Sequence, residues 1–279
     1  MKQVSKIKEL RSLIQDAKQD GKRIGFVPTM GYLHEGHLAL VNEARKNTDV
    51  VVMSIFVNPL QFGEGEDFET YPRSEERDRE MAEGKGVDIL FLPDAEEMYP
   101  RPMRSAVNIL QGTDVMCGAS RPGHFNGVAT VVLKLFNMVD PDAAFFGQKD
   151  AQQVAVIENM IKDFNMNIKI FPAPIVREKD GLAMSSRNIN LSPAERKEAP
   201  EIYKILQQAA ALIRNGKADT AMKEASEKLY ALKAEVDYLE LRTFPDLGKS
   251  DGTDVGKIIL AAAVKYEKVR LIDNIIWEQ

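Results

Sequence analysis

The feature that most constrains this fold is the run of residues 24–57. Ile24-Gly25-Phe26-Val27 reads as a buried strand, and Leu38–Ala44 reads as a helix. Val50-Val51-Val52-Met53-Ser54-Ile55-Phe56-Val57 is a second apolar run, rich in β-branched residues, of the kind covered on both faces in a parallel sheet. Strand, helix and buried strand in that order specify a βαβ unit, whose crossover is right-handed.

The alternation continues. Helical spacing at Val4, Ile7, Leu10, Leu13 and Ile14 predicts a first helix over 4–18, with Gly21 placed to end it. A helix is expected over 74–85, with Ser74 as N-cap, then a strand over 87–92. A buried helix (128–139), a strand (143–146), a helix (151–162) and a strand over 168–170 complete the series. This predicts an α/β fold, a doubly wound, Rossmann-like parallel sheet over residues 1–184. The pattern then changes. Ser192-Pro193-Ala194-Glu195 has the form of a capping box with proline in the first turn. Helices over 193–214 and 218–233, then strands over 236–242, 257–264 and 269–275, predict a smaller α+β domain over 185–279.

Two of the chain's three histidines lie in Met30-Gly31-Tyr32-Leu33-His34-Glu35-Gly36-His37, at the first strand-to-helix junction. Such a junction aims backbone N–H groups and the positive end of a helix at an anion. Two imidazoles add donors that can follow charge developing on phosphorus. Taken alone, the motif also suits a helix start with two surface histidines. A single cysteine, Cys117, and one distant histidine, His124, do not complete a zinc site.

Other polar clusters fall at strand ends or at the domain junction. Gly147-Gln148-Lys149-Asp150 follows a strand and opens a helix, with Gln153 one turn beyond Lys149. Gln61 lies in the turn Asn58–Phe62. Met184-Ser185-Ser186-Arg187-Asn188 offers hydroxyls and a guanidinium suited to phosphate oxygens, or serves as a polar hinge. Arg121–Gly127 is a Gly-rich turn in which His124 suits either a structural or a functional role. Neither GxxxxGK[ST] nor GxGxxG occurs, which removes the main support for a P-loop NTPase or an ordinary dinucleotide dehydrogenase. A net charge of −5, from 37 basic and 42 acidic residues, argues against general nucleic-acid or membrane-surface binding. The lone cysteine and the lack of a signal-like or membrane-spanning apolar stretch make the cytoplasm the expected location.

The stretches 26–37, 54–62, 121–125, 146–150 and 184–188, in this order, resemble the pantoate–β-alanine ligase family. Gln148 stands where that family often has Glu. The resemblance implies an ATP-dependent enzyme. In it the carboxylate of (R)-pantoate attacks the α-phosphorus of ATP and expels pyrophosphate. β-Alanine then attacks the pantoyl adenylate to give pantothenate and AMP. It further implies that His34, His37 and Lys149 are catalytic. ATP would be held by Met30, Gly31, Tyr32, Leu33, His34, Glu35, Gly36 and His37, by Gly147, Gln148, Lys149 and Asp150, by Val176 through its backbone, and by Met184, Ser185, Ser186 and Arg187. Gln61 and Gln153 would bind pantoate, and Mg²⁺ would sit on the phosphates. No protein metal ligand is assigned, Asp78 being a candidate. A homodimer is also implied. The alternative is a nucleotidyltransferase of the same fold acting on another acceptor.

Overall fold

A computed structural model describes residues 1–279. In chain order the elements are β1 (Lys2–Val4), α1 (Ile7–Gln19), β2 (Ile24–Thr29), α2 (Glu35–Asn47), β3 (Val50–Ile55), α3 (Glu75–Gly84), β4 (Ile89–Phe91) and α4 (Ala95–Met98). Then follow α5 (Met116–Ser120), α6 (His124–Val139), β5 (Ala143–Gly147), α7 (Ala151–Asp163) and β6 (Lys169–Ala173). The remainder comprises α8 (Pro193–Glu198), α9 (Pro200–Arg214), α10 (Ala218–Tyr230), β7 (Glu235–Phe244), β8 (Lys257–Lys265) and β9 (Arg270–Glu278).

The chain forms two compact units. The first contains Met1–Ile109, Gly123–Gln148 and Val156–Pro174; the second contains Leu110–Pro122, Lys149–Ala155 and Ile175–Gln279. The first unit holds a six-stranded sheet of order β1-β4-β3-β2-β5-β6. Every pairing in it is parallel. The predicted doubly wound sheet is therefore present. From β2 the chain turns to β3 on one side and later reaches β5 on the other, so the β2–β5 boundary is the topological switch point where such sheets take ligands. Val27, Val41, Met53, Leu90 and Phe145 pack in one core cluster of this unit.

The second unit holds a three-stranded antiparallel sheet, β7-β8-β9. Its central strand is buried from Ile258 to Val264. Ile258, Leu260 and Ala262 pack with Ile202, Leu206, Ile213 and Leu229 of the helices, whereas Ile259 and Ala261 join Met116, Ala151 and Leu247. The alternation of partners follows the two-residue period of the strand.

Local departures from the sequence reading have physical causes. Residues 2–4 form an edge strand on β4 instead of the start of α1. Ser74 occupies the N-cap position of α3, but its hydroxyl makes no capping bond. Ser192 and Glu195 do form the reciprocal capping box. The helix expected over 193–214 divides at Ala199, because Pro200 lacks an N–H to continue the ladder and instead starts α9. The helix expected from Val128 begins earlier, at His124, after Gly123 in the left-handed region (φ 83°).

The close approach of α6 to the turn 59–61 depends on Gly127. A Cβ there would lie 2.1 Å from the Leu60 carbonyl oxygen and 2.8 Å from Gln61 Cα, both backbone atoms. Gly127→Ala is expected to cost about 1–3 kcal/mol or more by overpacking. Denaturant unfolding checks this, and unchanged stability would contradict the packing described.

Candidate active site

The histidine turn leaves the C-terminal end of β2, at the switch point. Gly31 (φ 84°) and Tyr32 (φ 48°) are both in the left-handed region, so the chain reverses sharply. A Cβ on Gly31 would meet Ile55 Cγ2 at 2.8 Å, so glycine serves both conformation and space. The Gly31 N–H donates to Thr29 Oγ1 at 3.2 Å. The next two amides point at one buried carboxylate: the Tyr32 N–H donates to Asp78 Oδ2 and the Leu33 N–H to Asp78 Oδ1, each at 2.7 Å. Asp78 comes from α3 and is 1% exposed. Burial pushes its carboxyl above the ordinary value, opposed by the two amide bonds and by Arg77. Both oxygens of this candidate metal carboxylate are thus committed to clasping the turn.

His34 is the N-cap of α2. The Gly36 N–H donates to Nδ1 of His34 at 3.1 Å, and the His34 N–H donates to Nδ1 of His37 at 3.3 Å. The rings lie 4.0 Å apart between centroids, tilted by 33°. The two histidines therefore satisfy the reciprocal cap that Ser and Glu usually provide. An Nδ1 that accepts an amide hydrogen carries no proton of its own. In this arrangement the ring proton of each neutral imidazole belongs on Nε2, so each ring is an N–H donor at that atom beside a helix N-terminus. Both histidines are half-buried, whereas Glu35 between them is exposed.

Gln61 is 8% exposed, and its Nε2 donates to Met30 Sδ at 3.0 Å. The first unit therefore brings the predicted acid-binding glutamine against the turn that bears the histidines. The Asn58 amide donates to Gln61 Oε1 at 3.2 Å and to the Gly127 carbonyl at 3.3 Å, and Asn58 Oδ1 accepts from the Tyr99 hydroxyl at 2.7 Å. His124 Nδ1 donates to the Gln61 carbonyl at 2.8 Å. Gly147 ends β5, the strand paired to β2, and Gln148 opens the 3-10 turn that follows.

The remaining predicted residues belong to the second unit. Lys149 and Asp150 lie in the single 3-10 turn before α7, with Lys149 Nζ 3.4 Å from both carboxylate oxygens of Asp150. Gln153 follows on α7 and is half-buried. The Met184 N–H donates to the Val176 carbonyl at 3.0 Å, tying together two predicted ATP contacts. Ser185 caps the turn 186–190 by accepting the Arg187 N–H at 3.3 Å, and Ser186 is buried.

Sequence reasoning assigned no role to three supporting residues. Asn274 on β9 donates to the Lys149 carbonyl at 3.0 Å. Its neighbour Asp273 pairs with Arg177 through two bonds of 2.6 and 2.9 Å, and the Arg177 guanidinium lies 3.4 Å over the Tyr203 ring. No group of three or more His, Cys, Asp or Glu side chains is arranged to hold a metal ion. No helix is long and apolar enough to cross a membrane.

Residues 2–276 match the family described as Pantoate-beta-alanine ligase. Pantothenate synthetase from Geobacillus thermodenitrificans is 54% identical over 278 residues, covering 99% of this chain and 96% of that protein. The Bacillus subtilis pantothenate synthetase is 52% identical, covering 99% and 97%. The crystal structure of pantothenate synthetase from Thermus thermophilus aligns with a TM-score of 0.93 at 44% identity, covering 99% of both chains. That of the Francisella tularensis pantoate-beta-alanine ligase, complexed with beta-gamma ATP and beta-alanine, aligns with a TM-score of 0.84 at 37% identity, covering 99% and 97%.

The carboxylate clasp yields a prediction. In Asp78→Asn one of the two amides loses its acceptor and faces an NH₂ group. Bonds to charged groups contribute about 1.5–3 kcal/mol each, so stability should fall by about that amount, with loss of turnover. Thermal unfolding and steady-state assay check this, and an unaltered variant would show that the turn does not depend on Asp78.

Proposed function

The chain belongs to the pantoate–β-alanine ligase family, and from that premise we propose how its residues carry out the ATP-dependent joining of pantoate to β-alanine. In the proposed first step a pantoate carboxylate oxygen attacks the α-phosphorus of ATP. The bond from that phosphorus to the bridging oxygen of the β-phosphate breaks, and pyrophosphate leaves. In the second step the neutral amine of β-alanine attacks the acyl carbon of the adenylate, AMP leaves with the electron pair of the acyl–oxygen bond, and the nitrogen loses a proton.

The observation that carries this reading is the double histidine cap at the switch point. Charge moves onto the departing pyrophosphate oxygens as the first step proceeds. Donors fixed in advance stabilise that charge without reorganisation in the transition state. In this proposal His34 and His37 direct Nε2–H groups at phosphate oxygens, the amides of residues 30–37 line the nucleotide, and Lys149 supplies a point charge. Gly147, Gln148 and Asp150 lie along the nucleotide, Val176 meets the adenine through its backbone, and Met184, Ser185, Ser186 and Arg187 meet the phosphates. Gln61 and Gln153 bind pantoate through neutral amides, which add no charge beside a triphosphate.

Mg²⁺ is proposed to arrive on the phosphates as part of the substrate, neutralising their charge. A homodimer is supported by the family resemblance. A cytoplasmic location is supported by the lone cysteine, Cys117, which can form no disulfide within the chain.

Pyrophosphate and AMP release, measured with ATP, Mg²⁺, pantoate and β-alanine and with each left out in turn, tests the reading. Sustained release of both should require all four components. Sustained turnover without pantoate would contradict it. His37→Ala and Lys149→Ala should each lower kcat by about 10²-fold or more, as loss of a transition-state donor does elsewhere. Near-normal turnover in both variants would overturn their assignment.

A further inference from the structure

The polar chain beneath Gln61 has a direction. The Leu60 N–H donates to Asn58 Oδ1 at 3.3 Å, and the Gly127 carbonyl accepts from Asn58 Nδ2 at 3.3 Å. Each backbone group has a fixed polarity, so together they orient the Asn58 amide, but both bonds are long. The short bond in the group is the one from Tyr99, whose hydroxyl donates to Asn58 Oδ1 at 2.7 Å. So held, Asn58 turns its Nδ2 to Gln61 Oε1 at 3.2 Å. The acceptor end of Gln61 is thereby committed, and its Nε2 end faces the Met30 side.

A glutamine amide can in principle present either end to a ligand. We propose that Tyr99 is a positioning residue for acid selection, which through Asn58 holds Gln61 with its NH₂ toward the substrate. Gln61 then favours a ligand atom that accepts, such as an ionised carboxylate or a hydroxyl oxygen. The inference rests on the reading of Gln61 as a pantoate contact. Tyr99 is suited to the task because its phenol is a protonated donor at neutral pH, and burial pushes its hydroxyl further above the ordinary value.

Tyr99→Phe isolates the hydroxyl. The ring keeps its packing against Phe56, with centroids 6.0 Å apart, and its place beneath Lys134 Nζ at 5.4 Å. Loss of one hydrogen bond should raise KM for pantoate by about 3- to 10-fold. The effects on kcat and on KM for ATP and β-alanine should stay within about 2-fold, below the effect of one such bond. A merely structural role would instead shift all three KM values together. In a Gln61→Ala background, Tyr99→Phe should produce no further rise, because its effect passes through Gln61. An unchanged pantoate KM, or an equal rise in both backgrounds, overturns the role of Tyr99 while leaving Gln61 assigned. A Gln61→Ala variant with normal pantoate KM overturns the assignment of Gln61 and this inference with it.

Discussion

Two backbone amides and one buried carboxylate set the geometry on which the rest of the first unit's site depends. The chain must leave β2 and enter α2 within a few residues, through left-handed conformations at Gly31 and Tyr32. That path turns the Tyr32 and Leu33 N–H groups inward, where they need acceptors. Asp78 supplies both from α3. With the turn fixed, His34 falls at the N-cap and His37 on the first turn of α2. Each ring then commits Nδ1 to the helix start, which puts the proton of the neutral ring on Nε2.

The same full use of polar atoms recurs beneath the Gln61 amide. Asn58 is 1% exposed, and both ends of its side chain are bonded. Gly127 permits the approach of α6 that brings a backbone carbonyl into this group. In the second unit, β9 plays the supporting part. Asn274 holds the carbonyl of Lys149, and Asp273 anchors Arg177, the residue after Val176. Burial pushes the Asp273 carboxyl above its ordinary value, opposed by the bonds from Arg177 and by the charge of Lys149.

Much of the fold is legible in the sequence because its signals are local. The buried run from Val50, the caps at Ser192 and Glu195, and the switch to consecutive strands after α10 each lie within a few residues. The edge strand β1 escapes notice because three residues carry too little pattern, and Val4 also fits the helical spacing of α1. The break at Ala199 is signalled by Pro200, whose effect the helical periodicity on either side conceals. At the site, the histidine motif is legible as a contiguous string. Asp78 is visible as a carboxylate but not as a clasp, since its partners lie 45 and 46 residues away. Tyr99 lies 41 residues from Asn58, and Asn274 lies 125 from Lys149. No periodicity or spacing rule reaches across such separations; only the folded chain brings those partners together.

The central claim is that the histidine turn supports a complete first step, adenylate formation, before any amine takes part. Exchange of labelled pyrophosphate into ATP, measured with pantoate and Mg²⁺ and without β-alanine, tests it most directly. Exchange that depends on both pantoate and Mg²⁺ is the predicted result. Exchange that begins only when β-alanine is added would contradict a separate adenylation step.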